Sequence, residues 1–266
     1  MRDHSLPPSD SVRAEVSDQV LTLTVDDPTS QNALSSGMID GLWRGVEHAN
    51  AGPGIRAVVV TNIGAVFCSG ADLSRSDAAM DVATGPRGLA ALLHLIQSSP
   101  TPVLGKIDGH AVGGGLGLVA AFDISIARDD VLFGFTEVRV GAIPAVIAPV
   151  CLPKMRRGEA LEAFLRGNRF SAARAVEIGL LTRATPAATL DDAVDEVVAD
   201  VLRGGPWALG EAKRLVYEMP DLPRANVAAD VATRSAAAFN GPEAHEGRRA
   251  FLDKRPPTWA TSEETR

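Results

Sequence analysis

The chain has 266 residues, 45% of them hydrophobic, and a formal net charge of −7. That size and apolar content suit one large globular domain or a domain with an appendage. An acidic balance without basic blocks argues against nucleic acid or an anionic membrane surface as the partner.

Met1 to Asp10 is polar, carries two prolines and has no apolar core, so no signal peptide is expected and the predicted location is cytoplasmic. Val12 to Val16 and Val20 to Val25 alternate on either side of Ser17-Asp18, the pattern of a β-hairpin. Met38, Leu42, Val46 and Ala49 share one face of a helix predicted over 35–50. Arg56 to Thr61 holds a buried β-branched run and leads through a turn at 62–64 to Val66-Phe67-Cys68-Ser69-Gly70-Ala71-Asp72-Leu73. A polar loop over 74–86 precedes a helix over 87–98. Then come a strand over 102–107, a turn over 108–110, a glycine-opened helix over 112–121, and strands over 124–127 and 131–134. Short buried strands alternating with helices predict an α/β core with parallel pairing. From Ala145 onward helical patterns dominate: 158–166, 171–179, 189–203, 206–218, 223–239 and 242–253. Ser171 stands at an N-cap position and Pro206 at a first helical position. The division expected is a catalytic core over 12–200 and a helical region over 201–266.

Two cysteines, Cys68 and Cys151, are too few for a disulfide framework and have no CxxC spacing. The five histidines lack ligand spacing, so no metal is expected.

Gly113-Gly-Gly-Leu-Gly117 places four glycines in five positions, an entropic cost that some close approach should require. Close helix–strand packing is one reading. Dinucleotide binding is another, because Gly115 to Ala120 fits G-x-G-x-x-A and Glu137 lies near the spacing of a ribose-binding acid. Five residues separate the preceding strand from these glycines, however, whereas the dinucleotide turn follows its strand directly. The third reading is an oxyanion hole: glycine backbone opening a helix, with a second N–H donor from the Ser69 to Asp72 turn.

Three blocks, Phe67-Cys-Ser-Gly-Ala-Asp-Leu73, Asp108-Gly-His-Ala-Val-Gly-Gly-Gly115 and Phe133-Gly-Phe-Thr-Glu137, resemble in order and spacing the signatures of the enoyl-CoA hydratase/isomerase (crotonase) family. Gln31-Asn-Ala-Leu34, Gly141-Ala-Ile-Pro144 and Phe251-Leu-Asp-Lys-Arg255 extend the resemblance to roughly residues 12–257. It implies a crotonase spiral of ββα units with a C-terminal helical region for trimerisation, and a homotrimer or dimer of trimers. It implies an acyl-CoA substrate and no separate cofactor. The backbone N–H groups of Ala71 and Gly114 would hold the thioester oxygen while Glu137 moves the proton. Ser69, Ala71, Asp72 and Leu73 would meet CoA, with Lys254 reaching a phosphate, and His110 and Gly117 would border the substrate pocket.

The chain departs from the family at Gly117, where typical hydratases carry a second glutamate. Glu137 would then serve both proton-transfer steps, or Asp77, Asp81, His94 or His110 would help. Residues 115–123, 133–139 and 143–149 together are similar to bacterial methylglutaconyl-CoA hydratases, which also have glycine where Gly117 stands and whose substrate carries a distal carboxylate that Arg139, Lys154 or Arg156 could meet. The function expected is hydration of a branched or carboxylated 2-enoyl-CoA. The alternatives are a single-glutamate double-bond isomerase, a silent acyl-CoA binder and, from the glycine pattern alone, a dinucleotide oxidoreductase.

Overall fold

A computed structural model describes residues 11–52, 54–71 and 87–260. The hairpin forms from β1 (Val12–Ser17) and β2 (Val20–Val25), paired antiparallel. Helix α1 (Ser36–Ala51) follows, its N-cap Ser35 accepting the Met38 N–H at 3.1 Å. Next come β3 (Ala57–Asn62), β4 (Val66–Cys68) and α2 (Leu89–Ser98). Then β5 (Val103–Ile107), β6 (His110–Val112) and α3 (Gly114–Ala121) repeat that order. β7 (Ile124–Arg128) and β8 (Leu132–Gly134) begin a third turn of the same spiral.

Each turn places one strand in each of two sheets. The larger sheet runs β1-β2-β3-β5-β7-β10, the last being Arg183–Thr185, and is parallel throughout after its first pair. The smaller runs β4-β6-β8-β9, the last being Arg169–Ser171. The successive ββ turns are tied across the spiral by Asn62, whose amide donates to Gly64 O at 2.9 Å and whose Oδ1 accepts the Asp108 N–H at 3.1 Å.

β3 shows why these residues form a central strand. Val58 and Val60 enter the main core, with Phe67, Leu93 and Val103, while Ala57 and Val59 face a second apolar cluster with Leu104, Ile126, Leu190 and Val194. A strand buried on both faces reads as a continuous apolar run, and its neighbours still alternate with period two. Helix α7 (Leu190–Arg203) supplies Leu190 and Val194 to that second face, so it is packed on the sheet and passes through the expected division at residue 200.

After β8 the chain runs through a 3-10 turn (Glu137–Val140), α4 (Ala148–Cys151) and α5 (Arg157–Arg166), then β9 (Arg169–Ser171) and α6 (Ala172–Glu177). Ser171 caps α6 by accepting the Arg174 N–H at 3.2 Å. β10 (Arg183–Thr185) leads to α7, and α8 (Pro206–Glu218), α9 (Arg224–Asn240) and α10 (Pro242–Asp253) complete the helical region. Buried Arg56, at the start of β3, holds this region on: its guanidinium donates to Leu202 O, Gly204 O and Trp259 O.

Two sequence readings need correction. The turn expected at 108–110 ends earlier, because His110 starts β6, and the following helix begins at Gly114 rather than 112. The stretch read as helical also contains β9 and β10. Three-residue strands are too short to show a period, and their pairing partners decide them.

Candidate active site

The site is built where the ends of β4 and β6 lie side by side. After Cys68 the chain turns through Ser69, Gly70 and Ala71, with Gly70 at φ +83°. A side chain at Gly70 would meet Val112 O at 3.0 Å and Gly114 N at 3.2 Å, so both its backbone conformation and its close approach demand glycine. Leu34 braces this turn by donating its N–H to Gly70 O at 2.8 Å and forming an isolated parallel bridge with Ala71. Asn32, 1% exposed, holds Leu34 there. Its amide donates to Ile63 O at 3.0 Å and Val66 O at 2.7 Å, and its Oδ1 accepts the Asp27 N–H at 2.7 Å.

β6 enters α3 through Gly113, at φ +55°, whose N–H donates to Gly134 O at 2.9 Å. Gly114 is the first residue of α3, where backbone N–H groups have no intrahelical acceptor. Among the described backbone hydrogen bonds, the N–H groups of Ala71 and Gly114 donate to no carbonyl. These two segments therefore lie side by side, each with a backbone N–H that has no carbonyl acceptor among the described hydrogen bonds.

Glu137 opens the 3-10 turn after β8 and reaches the same place: a methyl group at Gly113 would lie 3.7 Å from its Oε1. Its Oε2 is buried without a hydrogen-bond partner. Burial raises the Glu137 pKa above the ordinary glutamate value, opposed only by its own backbone N–H. The pair of donors can stabilise charge developing on one oxygen, and the carboxylate can move a proton at a neighbouring atom.

The other expected site residues are distributed differently. Ser69 is half-buried in the Gly70 turn. Asp72 and Leu73, together with Asp77 and Asp81, lie outside the described residues. Gly117 sits one turn further along α3, and a methyl group there would come within 2.3 Å of Ile147 Cγ2. His110, expected at the pocket, instead accepts the Leu132 N–H on Nδ1 at 2.9 Å and braces β6 against the start of β8. Lys254 is the exposed C-cap of α10, at φ +52°. Arg139 donates to Arg166 O at 3.2 Å, Arg156 to Glu159 at 2.9 Å, and Lys154 to Phe122 O at 3.2 Å. That last contact is at the opposite end of α3, where His94, Lys154, Lys213 and Tyr217 line a cavity of about 670 Å³.

Sequence reasoning did not assign Asn32, Leu34 or Ile147 a part in this site. Asn32 and Leu34 belong to the Gln31 to Leu34 block, which was the available signal. Ile147 gave none. The thiols of Cys68 and Cys151 are pushed up to about 12 by burial, which leaves them inert as nucleophiles. Among the described residues there is no cluster of three metal-ligating side chains, and no helix is long and apolar enough to cross a membrane.

Comparison with known proteins agrees with this geometry. Residues 15–262 match the enoyl-CoA hydratase/isomerase family model. A crystal structure of an enoyl-CoA hydratase from Mycobacterium avium is 39% identical, with a TM-score of 0.73 over 94% of this chain and 99% of that one. The enoyl-CoA hydratase of Mycobacterium smegmatis is 28% identical, with a TM-score of 0.86 over 94% of this chain and 99% of that one. The mevalonyl-coenzyme A hydratase of Aspergillus fumigatus is 30% identical over 91% of this chain and 92% of its own length. With the spiral of two sheets, the paired backbone donors and a glutamate of raised proton affinity, the chain belongs to the enoyl-CoA hydratase/isomerase family of enzymes acting on CoA thioesters.

Proposed function

We propose that the protein is a hydro-lyase that adds water across the 2,3 double bond of a branched or carboxylated 2-enoyl-CoA such as 3-methylglutaconyl-CoA. The observation that carries this reading is Glu137, with one buried oxygen free of partners beside the Gly70 and Gly113 turns. In the proposed reaction the N–H groups of Ala71 and Gly114 donate to the thioester oxygen. Glu137 takes a proton from water as the water oxygen bonds to C3, and the electrons of the double bond move onto the thioester as an enolate. Glu137 then returns that proton to C2. Stabilisation of the enolate oxygen by one such donor is worth about 2.7–4 kcal/mol. Only protons and water move, so the reaction calls for no cofactor beyond the CoA thioester.

A second reading, isomerisation of a 3-enoyl-CoA, is favoured by one observation: Ile147 occupies the space beside Gly117, so Glu137 has no second carboxylate there. Glu137 would carry one proton from C2 to C4. CoA would lie along Ser69 to Leu73 with a phosphate near Lys254. The exposed apolar side chains Val216, Phe239, Phe251 and Leu252 on the last helices would be covered in a trimer or dimer of trimers in the cytoplasm.

The test is turnover of crotonyl-CoA, 3-methylglutaconyl-CoA and a 3-enoyl-CoA, followed by conjugated-thioester absorbance and product mass. Loss of absorbance with gain of one water establishes the hydratase. A rise with the 3-enoyl compound at constant mass establishes the isomerase. Binding of acyl-CoA with no turnover of any of the three overturns both readings in favour of a silent binder.

A further inference from the structure

We infer that Ile147 is the positioning residue for Glu137, and that it acts by filling the notch at Gly117. This rests on the reading of Glu137 as the proton-transfer group.

A methyl group at Gly117 would lie 2.3 Å from Ile147 Cγ2, 3.0 Å from Ile147 Cβ and 3.2 Å from Leu93 Cδ1. Ile147 is therefore pressed directly against the backbone of α3, and at 2% exposure it is part of the core. Ile147 and Glu137 belong to one segment, stitched internally by hydrogen bonds from Ala142 N to Glu137 O at 3.0 Å, Ala148 N to Pro144 O at 3.1 Å and Cys151 N to Ile147 O at 3.0 Å. Residues 139–143 between them are exposed, so their side chains add little packing. The segment thus meets α3 and its N-cap at Gly113 through Glu137 and at Gly117 through Ile147, four residues or about one helical turn apart, and Cys151 Sγ follows at 3.9 Å from Leu116 O. On its other side Val138 leans on Gly167, where a methyl group would meet its Cγ2 at 2.7 Å. Ile147 is a fully seated apolar side chain of this segment, in contact with the helix bearing the Gly114 donor.

The same contact settles which chemistry this wall of the site can offer. A side chain at position 117 has no room while Ile147 is in place. The wall beside Gly117 is isoleucine and leucine, so a second carboxylate cannot assist Glu137 from there.

The experiment compares Gly117→Ala, Ile147→Ala and the double variant with the parent enzyme. In Gly117→Ala, Ile147 must give way by about 1 Å to reach an ordinary contact of 3.4 Å. Passed along the segment to Glu137, a misplacement of that size costs on the order of 100-fold in kcat, with little change in KM. The double variant relieves the clash and is expected to recover most of that loss, and Ile147→Ala alone, with its notch empty, is expected to fall between. The second readout is the titration of the Glu137 side chain by carbon-13 NMR, which needs no turnover. It should shift towards the ordinary glutamate value in Gly117→Ala and return in the double variant. An unchanged titration and unchanged kcat in Gly117→Ala overturn the inference, as does a double variant no better than the single. Failure of the Glu137 reading looks different: Glu137→Gln would then keep full turnover whatever the Gly117 variants do.

Discussion

A half-buried carboxylate lies near each end of helix α3, and the two are treated in opposite ways. At its C-terminal end Asp123 Oδ2 lies 2.8 Å from Lys213 Nζ and accepts the Val103 N–H at 2.8 Å. Lys213 also donates to Ile96 O at 2.7 Å, closing the end of α2, and Lys154 donates to Phe122 O at 3.2 Å, closing the end of α3. Cations at helix C-termini are favourable in themselves. At the N-terminal end Glu137 has one buried oxygen with no partner, and the Gly114 N–H has no carbonyl acceptor among the described bonds. Burial raises the pKa of both acids, but at Asp123 the attraction of Lys213 and its hydrogen bond pull it back. A shifted pKa therefore does not distinguish a working carboxylate from a structural one. What distinguishes them is whether the hydrogen-bonding partners are already present.

The sharpest way to break that comparison is to neutralise each acid. Glu137→Gln should lower turnover by about 10²–10⁴-fold, the range for one general acid–base group, while calorimetry shows unchanged CoA-thioester binding. Unaltered turnover would remove Glu137 from the mechanism and with it the functional half of the contrast. Asp123→Ala leaves Lys213, 8% exposed, without its counter-ion. Breaking such a buried pair costs about 3–5 kcal/mol, read by denaturant titration, while kcat per folded molecule stays near the parent value. A large catalytic loss with unchanged stability would reverse the roles assigned to the two ends.

The donor at Gly114 is tested by a pair of substitutions. Gly114→Pro and Gly114→Ala both place a Cβ where Leu34 Cδ1 lies 2.4 Å away, so both must move that flexible side chain. Only proline deletes the N–H, and the first helical position otherwise accepts it. The proline variant should be slower than the alanine variant by about 2.7–4 kcal/mol of transition-state stabilisation, measured as the ratio of their kcat/KM values. Equal rates would take Gly114 out of the oxyanion hole.

The open end of α3 was the more legible in the amino-acid sequence. Gly113, Gly114 and Glu137 stand in blocks whose residue types the chemistry demands, and Gly70 lies in the matching turn. The long helices and the hairpin follow from their periods, and the Ser171 N-cap from its residue type and place. The closed end was not legible, because Asp123 and Lys213 are 90 residues apart and nothing local marks them as partners. For the same reason Gly117 could be singled out while Ile147, which fills its notch from a different segment, could not. β4 and β6 are three residues each, and what makes them strands is their pairing, Val66 with His110 and Ala111 with Phe133.

The smallest expected effect concerns the stability cost of leaving the N-terminal end open. Burial raises the pKa of Glu137, so the folded protein holds this proton more tightly than the unfolded chain does. Its contribution is thus most favourable below the ordinary glutamate value and is lost as pH rises through the raised, folded value. Above the ordinary glutamate value this group is therefore a burden on the fold, and Glu137→Gln should be more stable than the parent there. The gain should vanish when unfolding is repeated at a pH below the ordinary glutamate range, where the parent is protonated in both states. The measurement is the difference in unfolding free energy between the two proteins across that range. A difference that is flat with pH would mean that Glu137 titrates alike in the folded and unfolded chain, and the two ends of α3 would then differ in partners but not in electrostatic cost.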